Sequence, residues 1–402
     1  MSREGLYRTL WSTPAIRGQA FLGLFAQVTQ GAAPIGLVLV TRQATGSLAI
    51  AGAVSAALWL AAAAARPVQG RIIDRRGTRP VMLVCGPVHA AALIGLVAVA
   101  RSGGSAWLLV LLSGCAGLAL PPVSSSMRVE WGRRLPASER TAAYSLVFLT
   151  QELAILLGPL LVAALVAVES AGLALVVAAC VSGGAATAFG IVSGAGGIGL
   201  GTRVEHLRRW SVAMPALLGT TYLIGCALGA LQVATPALAL ARGIPAIGGV
   251  LIAALSVGGI TGALLYGAHR WTADPSRRLL ALLCCIGIAA APLVALPPVV
   301  IVGLLLALVG LAVNPAFTTL SLLVDRHGSS RAAEAFGWMS TAVGGGTATG
   351  NAAAGALAQH EGLTPAFLAA ALAACAAVLV AVVMQGRLRR AGDEMTLSSV
   401  TP

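Results

Sequence analysis

Charge is what this sequence has least of. Only 10% of its 402 residues are charged, whereas 58% are hydrophobic and the mean hydropathy is +0.90. A soluble globular domain carries about 25% charged residues, so the composition excludes that class. Lysine is absent, and the formal net charge of +13 is carried by arginine. The arginines form small clusters between apolar runs, which indicates a membrane topology and argues against a nucleic-acid-binding protein.

Motifs for ATP hydrolysis and for common enzymatic chemistry are also lacking. The sequence has no G-x-x-x-x-G-K-[ST] phosphate loop, no H-E-x-x-H and no nucleophile–base pair, which disfavours an ATP-driven pump or an intramembrane enzyme. The seven cysteines show no metal-ligand spacing with histidine, so we expect no metal and no other cofactor. We interpret them as small helix-packing residues. They are Cys85, Cys115, Cys180, Cys226, Cys284, Cys285 and Cys375.

Long apolar runs fill most of the chain. In lipid, backbone polar groups are satisfied only in helices or a closed barrel, and these runs lack the alternation of barrel strands. At about 20 residues per span, the length accommodates roughly twelve helices. We therefore predict an all-α integral membrane protein with twelve transmembrane helices, numbered 1 to 12 in chain order. The predicted bounds are 15–41, 48–67, 80–100, 105–127, 140–168, 171–193, 212–241, 246–268, 279–296, 298–324, 331–357 and 364–386.

The arginines predict how these helices are oriented. One set of alternate loops, together with both termini, holds most of them, and the other set holds only Arg42, Arg101 and Arg242. Because arginine-rich loops face the cytoplasm, both termini of this multi-pass cell-membrane protein are predicted to be cytoplasmic. The arginine-rich loops contain Arg71, Arg75, Arg76, Arg79, Arg128, Arg133, Arg134, Arg203, Arg208, Arg209, Arg270, Arg277, Arg278 and Arg326.

The two halves of the sequence repeat each other. Helix 4 contains G-L-A-L-P-P where helix 10 contains G-L-A-V-N-P, and helices 1 and 7 share a Gly, a Gln and a Pro at equal spacings. We predict two six-helix bundles, residues 1–193 and 212–402, joined by a cytoplasmic linker at 194–211; the second ends in a short cytoplasmic tail. The matched residues are Gly23 with Gly225, Gln30 with Gln232, Pro34 with Pro236, Gly117 with Gly310 and Arg140 with Arg331.

Glu152 is the acidic residue that the sequence places deepest in the membrane. It lies about twelve residues inside predicted helix 5, roughly 18 Å from its start at 1.5 Å per residue. A charged group there costs on the order of 2.5–3.5 kcal/mol, so it should face a cavity or a partner. Glu152 is therefore a candidate for proton coupling or for recognising a cation. The alternative is a carboxyl group that only hydrogen-bonds a neighbouring helix, through Gln151 or an arginine.

Uncharged polar side chains on several helices form a second group of candidates. Gln27 and Gln30 lie on the face of helix 1 that carries Pro34, and hydroxyl or amide groups stand beside the prolines of helices 4 and 10. We predict that they line a substrate cavity near the midplane. Single hydroxyl groups in membrane helices often serve only interhelical packing, and that alternative stays open. The predicted substrate-binding residues are Gln27, Gln30, Ser124, Ser125, Gln151, Tyr222, Gln232, Asn314 and Thr318.

The turn between predicted helices 2 and 3, residues 70–80, reads G-R-I-I-D-R-R-G-T-R-P. Its G-x-x-x-D-R-x-G-x-R pattern resembles the loop between helices 2 and 3 of the major facilitator superfamily of transporters. With the twelve spans and the repeat, the resemblance covers nearly the whole chain and implies the major facilitator fold, two pseudo-symmetric six-helix bundles working by alternating access. It also implies that Gly70 permits close helix approach and that Asp74 engages the start of helix 11 and nearby arginines, latching an outward-open state. The implied gating-loop residues are Gly70, Asp74, Arg75, Gly77 and Arg79.

Within the superfamily the chain resembles bacterial small-molecule and drug efflux proteins. Gly158-Pro159 in helix 5 is similar to the G-P of the antiporter signature, although its flanking glycines are absent. Drug:proton antiporters carry an arginine in helix 4 where this chain has Ser113, which places more weight on Glu152. The resemblance implies a secondary active transporter and not an enzyme, with a small-molecule substrate, protons and the lipid bilayer as partners. We expect a monomeric, proton-coupled exporter; the alternative is facilitated diffusion or proton symport that imports a polar metabolite such as a sugar.

Three further features have competing interpretations. His89 is the only histidine well inside a predicted span, and a satisfied packing role is favoured because the resemblance places helix 3 at the periphery. Helix 11 carries six glycines, which indicate either a gating contact or simply close helix packing. The second-half copy of the helix 2–3 turn keeps Gly267 but has Trp271 in place of the acid.

Overall fold

The structure, a computed structural model, describes residues 13–193, 213–244, 246–328 and 331–398. Within these ranges all regular secondary structure is helical, and no strand is present. Twelve helices follow one another, two of them interrupted and one ending in a 3₁₀ turn. Their bounds are helix 1, Pro14–Ala26 and Val28–Thr45; helix 2, Leu48–Arg76; helix 3, Thr78–Arg101; helix 4, Ala106–Leu118 and Val123–Arg134; helix 5, Ala137–Val168; helix 6, Ala171–Val192; helix 7, Met214–Ala241; helix 8, Ala246–Ala268; helix 9, Pro275–Ala290 with Ala291–Ala295; helix 10, Val299–Gly328; helix 11, Ala332–His360; and helix 12, Leu363–Ser398.

Eleven of these helices are, in the described part of the chain, long and apolar enough to cross a membrane. Helix 11 is as long as the others, but its glycines, threonines and Asn351 make it less hydrophobic. The twelve-helix, all-α membrane fold predicted from the sequence is therefore confirmed. The predicted linker at 194–211 and the N-terminal Arg3 and Arg8 lie outside the described residues.

The chain divides into two compact units. One comprises Met1–Leu207 with Ser330–Gly337, and the other comprises Arg208–Ser329 with Trp338–Pro402. Helix 11 thus begins in the first unit and continues in the second. The first unit has an apolar core to which helices 1 to 4 and 6 contribute large side chains. These include Leu37, Leu58, Leu93, Leu96, Leu109 and Leu175.

The sequence repeat reappears in the packing inside each unit. Helix 2 packs on helix 4 in the first unit as helix 8 packs on helix 10 in the second. In the first pair, the backbone carbonyl of Leu58 occupies the space that a Cβ on Gly117 would need; in the second pair the carbonyl of Leu255 does the same at Gly310. These repeat-matched glycines let two helix backbones touch, which is how small residues promote helix association in membranes.

Helix 1 is interrupted at Gln27. The backbone there leaves the regular path (φ −100°, ψ −2°), and the N–H of Gln30 bonds the carbonyl of Gln27 at 2.8 Å in a tighter turn. The side-chain amide of Gln27 donates to the carbonyl oxygen of Gly23 at 2.8 Å. Gln27 is fully buried, and its side chain thus satisfies the carbonyl four residues earlier that a regular helix would bond through the backbone.

Helix 4 is interrupted at residues 119–122, whereas its repeat mate, helix 10, is continuous. Helix 4 has the pair Pro121-Pro122 at this point, and helix 10 has Asn314-Pro315. Each proline removes a backbone donor and its ring clashes with the preceding turn, so two in succession break the helix while one is accommodated. The break frees the carbonyl groups of Leu118 and Leu120 to accept side-chain hydrogen bonds.

The cysteines correct one sequence interpretation. Cys115, Cys180, Cys285 and Cys375 are exposed, and Cys85, Cys226 and Cys284 are half-buried. The predicted helix-packing role is therefore wrong for the four exposed residues. Cysteine behaves as a small hydrophobe, so these side chains suit the apolar surface of a membrane protein.

Candidate functional site

Three of the predicted substrate-binding residues lie together in the first unit. The hydroxyl group of Ser124 on helix 4 donates to Oε1 of Gln27 on helix 1 at 2.6 Å, and it lies 3.3 Å from Oε1 of Gln151 on helix 5. Ser124 has one hydroxyl proton for these two amide oxygens. It satisfies Gln27 at the shorter distance, and the half-buried Gln151 keeps capacity for another hydrogen-bond partner. We call Gln27, Ser124 and Gln151 the amide cluster.

The amide cluster lies where two helices are interrupted. Gln27 is itself the break in helix 1, and Ser124 is the second residue of helix 4 after its break. Interrupted membrane helices present free backbone groups, and transporters use such points to bind substrates and ions. The sequence analysis predicted these polar residues and the effect of the prolines, but it did not predict the break at Gln27.

Glu152 directly follows the amide cluster in sequence. It is the sixteenth of the 32 residues of helix 5, hence at its middle, and it is half-buried. Helix 5 is held close to helix 1 by a pair of glycines: a Cβ on Gly31 would lie 2.7 Å from the carbonyl oxygen of Ile155, and one on Gly158 would meet the backbone of Ala32. The G-P pair of helix 5 therefore lies at a contact between two backbones.

The other predicted substrate-binding residues are more scattered. Gln30 is half-buried one turn beyond Gln27, and Ser125 is buried. In the second unit the hydroxyl of Tyr222 on helix 7 lies 2.8 Å from that of Thr349 on helix 11. Asn314 and Thr318 are buried in helix 10, whereas Gln232 is exposed.

The predicted loop between helices 2 and 3 is almost entirely helical. Helix 2 continues to Arg76 and helix 3 starts at Thr78, so Gly77 alone lies between them. Gly77 has a φ of +83°, a conformation that glycine adopts without the strain that a Cβ would cause. The turn predicted over residues 70–80 is therefore confined to Gly77, because the charged residues on either side prolong the helices. Arg75 and Arg79 are exposed.

Asp74 contacts the start of helix 11 within the first unit. Its two carboxylate oxygens accept hydrogen bonds from the backbone N–H groups of Ala333 (3.0 Å) and Glu334 (2.8 Å). The first N–H groups of a helix have no partners inside it and carry partial positive charge, so a carboxylate is well placed there. Arg71, three residues earlier, pairs with the buried carboxylate of Glu334 at 2.6 Å.

Two glycines bring helix 2 and helix 11 together at this contact. A Cβ on Gly70 would lie 2.7 Å from Cα of Glu334, and one on Gly337 would lie 3.0 Å from Cα of Pro67. Any larger residue at either position would push the two backbones apart. We call Gly70, Arg71, Asp74, Glu334 and Gly337 the helix 2–11 joint.

Two functional-looking polar residues of helix 2 were missed in the sequence analysis. The guanidinium of Arg66 donates to the carbonyl oxygen of Leu120 at 3.3 Å, and the amide of Gln69 donates to those of Leu118 and Leu120 at 2.9 and 3.2 Å. These carbonyls are the ones that the helix 4 break sets free. The available signal was the presence of two polar residues, Arg66 and Gln69, in a largely apolar helix 2, together with a Pro-Pro pair in helix 4 that leaves carbonyl groups unbonded.

Arg128 corrects another prediction. It was expected in a loop with Arg133 and Arg134, but it lies in helix 4 with 3% of its surface exposed. Its guanidinium carbon is 4.5 Å from the ring centroid of Phe148 on helix 5 and 5.6 Å from that of Phe336 on helix 11. Both distances suit a cation–π interaction.

Arg278 departs from its predicted loop in a similar way. It lies in helix 9, largely buried, and its Nη1 donates to the hydroxyl of Tyr266 at 3.0 Å. The ring of Trp271 stacks on Tyr266 with centroids 4.6 Å apart. An aromatic pair thus occupies the place where the first half has an acid. Nearby Asp274 caps helix 9 and pairs with Arg326; burial opposes ionisation, but these hydrogen bonds and the cation together lower the pKa of Asp274.

His89 is fully buried and has a partner on each ring nitrogen. Nδ1 lies 2.8 Å from the carbonyl oxygen of Ala116, and Nε2 lies 3.2 Å from the hydroxyl of Thr29. Thr29 in turn lies 3.1 Å from the hydroxyl of Ser182. His89 therefore ties helices 1, 3, 4 and 6 together, which is the packing role that the sequence favoured.

Known structures resemble the chain in fold. A bacterial homologue of the iron transporter ferroportin in its outward-facing state aligns over 92% of this chain and 98% of its own, with TM-score 0.73 and 16% identity. The human organic anion transporter MFSD10 aligns over 92% and 99%, with TM-score 0.71 and 17% identity. The Escherichia coli fucose:proton symporter FucP aligns over 93% and 99%, with TM-score 0.70 and 12% identity. No curated protein matches the sequence.

The family model of the Major Facilitator Superfamily matches residues 20–350, which is most of the chain. The match includes the breaks in helices 1 and 4, the amide cluster and the helix 2–11 joint. The chain therefore belongs to the major facilitator superfamily, as a multi-pass membrane transporter of a small molecule and not an enzyme.

Proposed function

We propose that this transporter exports a small organic molecule from the cytoplasm in exchange for protons. The observation that carries the proposal is the position of the amide cluster at two helix breaks, with Glu152 next to it at the middle of helix 5. Gln27, Ser124 and Gln151 supply hydrogen bonds to the cargo. Glu152 takes up a proton in one state and releases it in the other; a carboxyl group at mid-membrane is costly, and where it occurs it commonly marks a proton or substrate pathway.

Helix 5 supports an exchange in which the cargo and the protons move in opposite directions. Gly158-Pro159, the pair that is similar to the antiporter signature, lies at the close contact with Gly31 of helix 1. That contact fixes the face of helix 5 on which Gln151 lies, because Gln151 and Gly158 are seven residues apart. We propose further that both termini are cytoplasmic, as the arginine distribution indicates, and that the protein acts as a monomer.

The helix 2–11 joint supplies a gate in this proposal. Asp74, Arg71 and Glu334 hold the start of helix 11 against helix 2, and release of that contact opens the cytoplasmic side. Among similar folds, one is named a fucose:proton symporter, so proton coupling is within the repertoire of the fold.

A second candidate is the import of a polar metabolite by proton symport. It is favoured by the neutral character of the amide cluster, because two amides and a hydroxyl group pair well with the hydroxyl groups of an uncharged molecule such as a sugar. The low aromatic content, 4%, argues against this candidate, since it leaves few rings to stack on a sugar.

Proton flux in inverted membrane vesicles tests the proposal. The vesicle lumen is acidified, a pH-sensitive dye is followed, and candidate compounds are added either outside or inside the vesicles. An exporter that exchanges protons dissipates the gradient when the compound is outside; a symporter does so only when the compound has been loaded inside. Compounds that act in neither arrangement across a chemically diverse panel would contradict both candidates.

Glu152→Gln tests the role of the carboxyl group. We expect gradient-driven transport to stop while cargo-for-cargo exchange without a gradient persists, because the variant is a permanent mimic of the protonated state. Glu139→Gln, the same change in the first turn of the same helix, is the matched control and should leave both activities intact. Gradient-driven transport at the wild-type rate in Glu152→Gln would remove Glu152 from the mechanism.

A further inference from the structure

Arg128 is a buried cation for which the described residues provide no anion. No carboxylate of the described chain pairs with it, and its Nε is buried without a hydrogen-bond partner. The rings of Phe148 and Phe336 lie against its guanidinium. An arginine in a protein interior is normally paired and hydrogen-bonded, because desolvating its charge is costly. Two ring faces offset only part of that cost.

The position of Arg128 relates it to the amide cluster. Ser124 and Arg128 are four residues apart on helix 4, and Phe148 and Gln151 are three residues apart on helix 5. Residues at these spacings lie on the same face of a helix, one turn from each other. The Arg128–Phe148 pair is therefore stacked one turn beyond the Ser124–Gln151 pair, toward the Arg134 end of helix 4.

Phe336 covers the guanidinium from the other side. This residue is fully buried in the second turn of helix 11, and its ring lies edge-on to that of Tyr144, with centroids 6.1 Å apart. Helix 11 is held at this end by Asp74, through the N–H groups of Ala333 and Glu334. Because Phe336 belongs to helix 11, a movement of the start of that helix away from helix 2 would carry Phe336 with it and uncover one face of Arg128.

We propose that Arg128 binds an anionic group of the cargo, a carboxylate or sulfonate, and that Phe336 covers this site until the helix 2–11 joint opens. The cargo is then a small organic anion: its charged group meets Arg128, and its uncharged part reaches the amide cluster one turn away. A planar guanidinium suits this role, because it forms two parallel hydrogen bonds to a carboxylate or sulfonate and stacks on aromatic rings when no anion is bound. The proposal rests on the proposed transport function for its cargo, but the binding of an anion is measurable without transport.

Thermal unfolding of the purified protein in detergent tests the site. The midpoint is measured against increasing sodium benzoate or sodium benzenesulfonate at constant ionic strength, with benzamide as the neutral analogue of benzoate. We expect both anions, and not benzamide, to raise the midpoint of the wild-type protein. Arg128→Gln should weaken the apparent affinity for the anions by about tenfold or more, as expected for loss of a charge-assisted hydrogen-bond pair. Arg128→Lys should retain part of the affinity, because it keeps the charge and loses the planar geometry.

Two further variants separate binding from general stability. Arg278→Gln removes the other buried arginine that faces aromatic rings, in the second unit, and should unfold earlier yet keep the full response to the anions. Phe336→Ala should strengthen the anion response, because it uncovers Arg128. The proposal is overturned if neither anion exceeds benzamide with the wild-type protein, or if Arg128→Gln responds as the wild type does. The vesicle assay fails or succeeds independently, since it depends on Glu152 and a proton gradient.

Discussion

The carboxylate of Asp74 lies 2.8 Å from the backbone nitrogen of Glu334, and the side chain of Glu334 pairs in turn with Arg71 on the same helix as Asp74. One residue of helix 11 is thus held both through its backbone and through its side chain. The carboxylate of Glu334 is buried while the guanidinium of Arg71 that pairs with it is half-exposed, so the two interactions differ in how strongly solvent screens them.

Asp74→Asn should lower the stability of the protein by about 1–2 kcal/mol, because the amide nitrogen cannot accept one of the two hydrogen bonds that the start of helix 11 donates to Asp74. The measurement is thermal unfolding in detergent. Asp274→Asn is the matched control: asparagine caps a helix as well as aspartate does, and the ion pair it loses with Arg326 is half-exposed on both sides. Equal midpoints for Asp74→Asn and the wild type would mean that the helix 2–11 joint contributes nothing to stability.

Gly158→Ala should destabilise the protein by about 1–3 kcal/mol, since the added methyl group meets the backbone of Gly31 and Ala32 and the two helices must separate. Gly184→Ala, in helix 6, makes the same chemical change where nothing lies within 4 Å of the new Cβ, and it should be neutral or slightly stabilising. Unfolding midpoints and transport rates of the two variants are compared. Tolerance of Gly158→Ala in both assays would show that the contact between helices 1 and 5 can loosen at no cost.

His89→Leu should destabilise the protein by about 1–3 kcal/mol, because it leaves the carbonyl of Ala116 without its side-chain partner, whereas the hydroxyl of Thr29 keeps that of Ser182. The pH dependence of transport should not change, because the packing role requires no proton uptake by the imidazole. A shift in that pH profile, measured with Glu152 intact, would give His89 a part in proton transfer that its two hydrogen bonds do not explain.

The number and type of the helices follow from the sequence because hydropathy and backbone satisfaction act over whole segments. A run such as 246–268 is apolar throughout, and the structure has helix 8 over the same bounds. The matched glycines could be paired by alignment of the halves alone. The sequence identified three polar candidates, Gln27, Ser124 and Gln151, because amide and hydroxyl groups are uncommon in lipid. They lie close together because helices 1, 4 and 5 meet at this point.

The sequence predicted the environment of individual arginines poorly. The rule that places arginine in cytoplasmic loops averages over many residues, and it does not report whether a given guanidinium near a helix end turns inward. Arg128 and Arg278 turn inward because aromatic rings receive them. One ring at Arg128, that of Phe336, comes from a distant part of the sequence, so no local pattern predicts that pairing. Arg66 is held by carbonyls that become free only once helix 4 breaks.

Glycine contacts hold helix 11 at two places. Near its start, Gly337 touches helix 2; farther on, Gly346 and Gly350 press against the backbone of Tyr222 and Cys226 on helix 7, where no side chain intervenes. A helix held at two places cannot move as one rigid body. If the start of helix 11 separates from helix 2 while its middle stays packed on helix 7, helix 11 must bend in the roughly two turns between Gly337 and Gly346. A proline or a bulky residue in that segment would change how easily the helix bends.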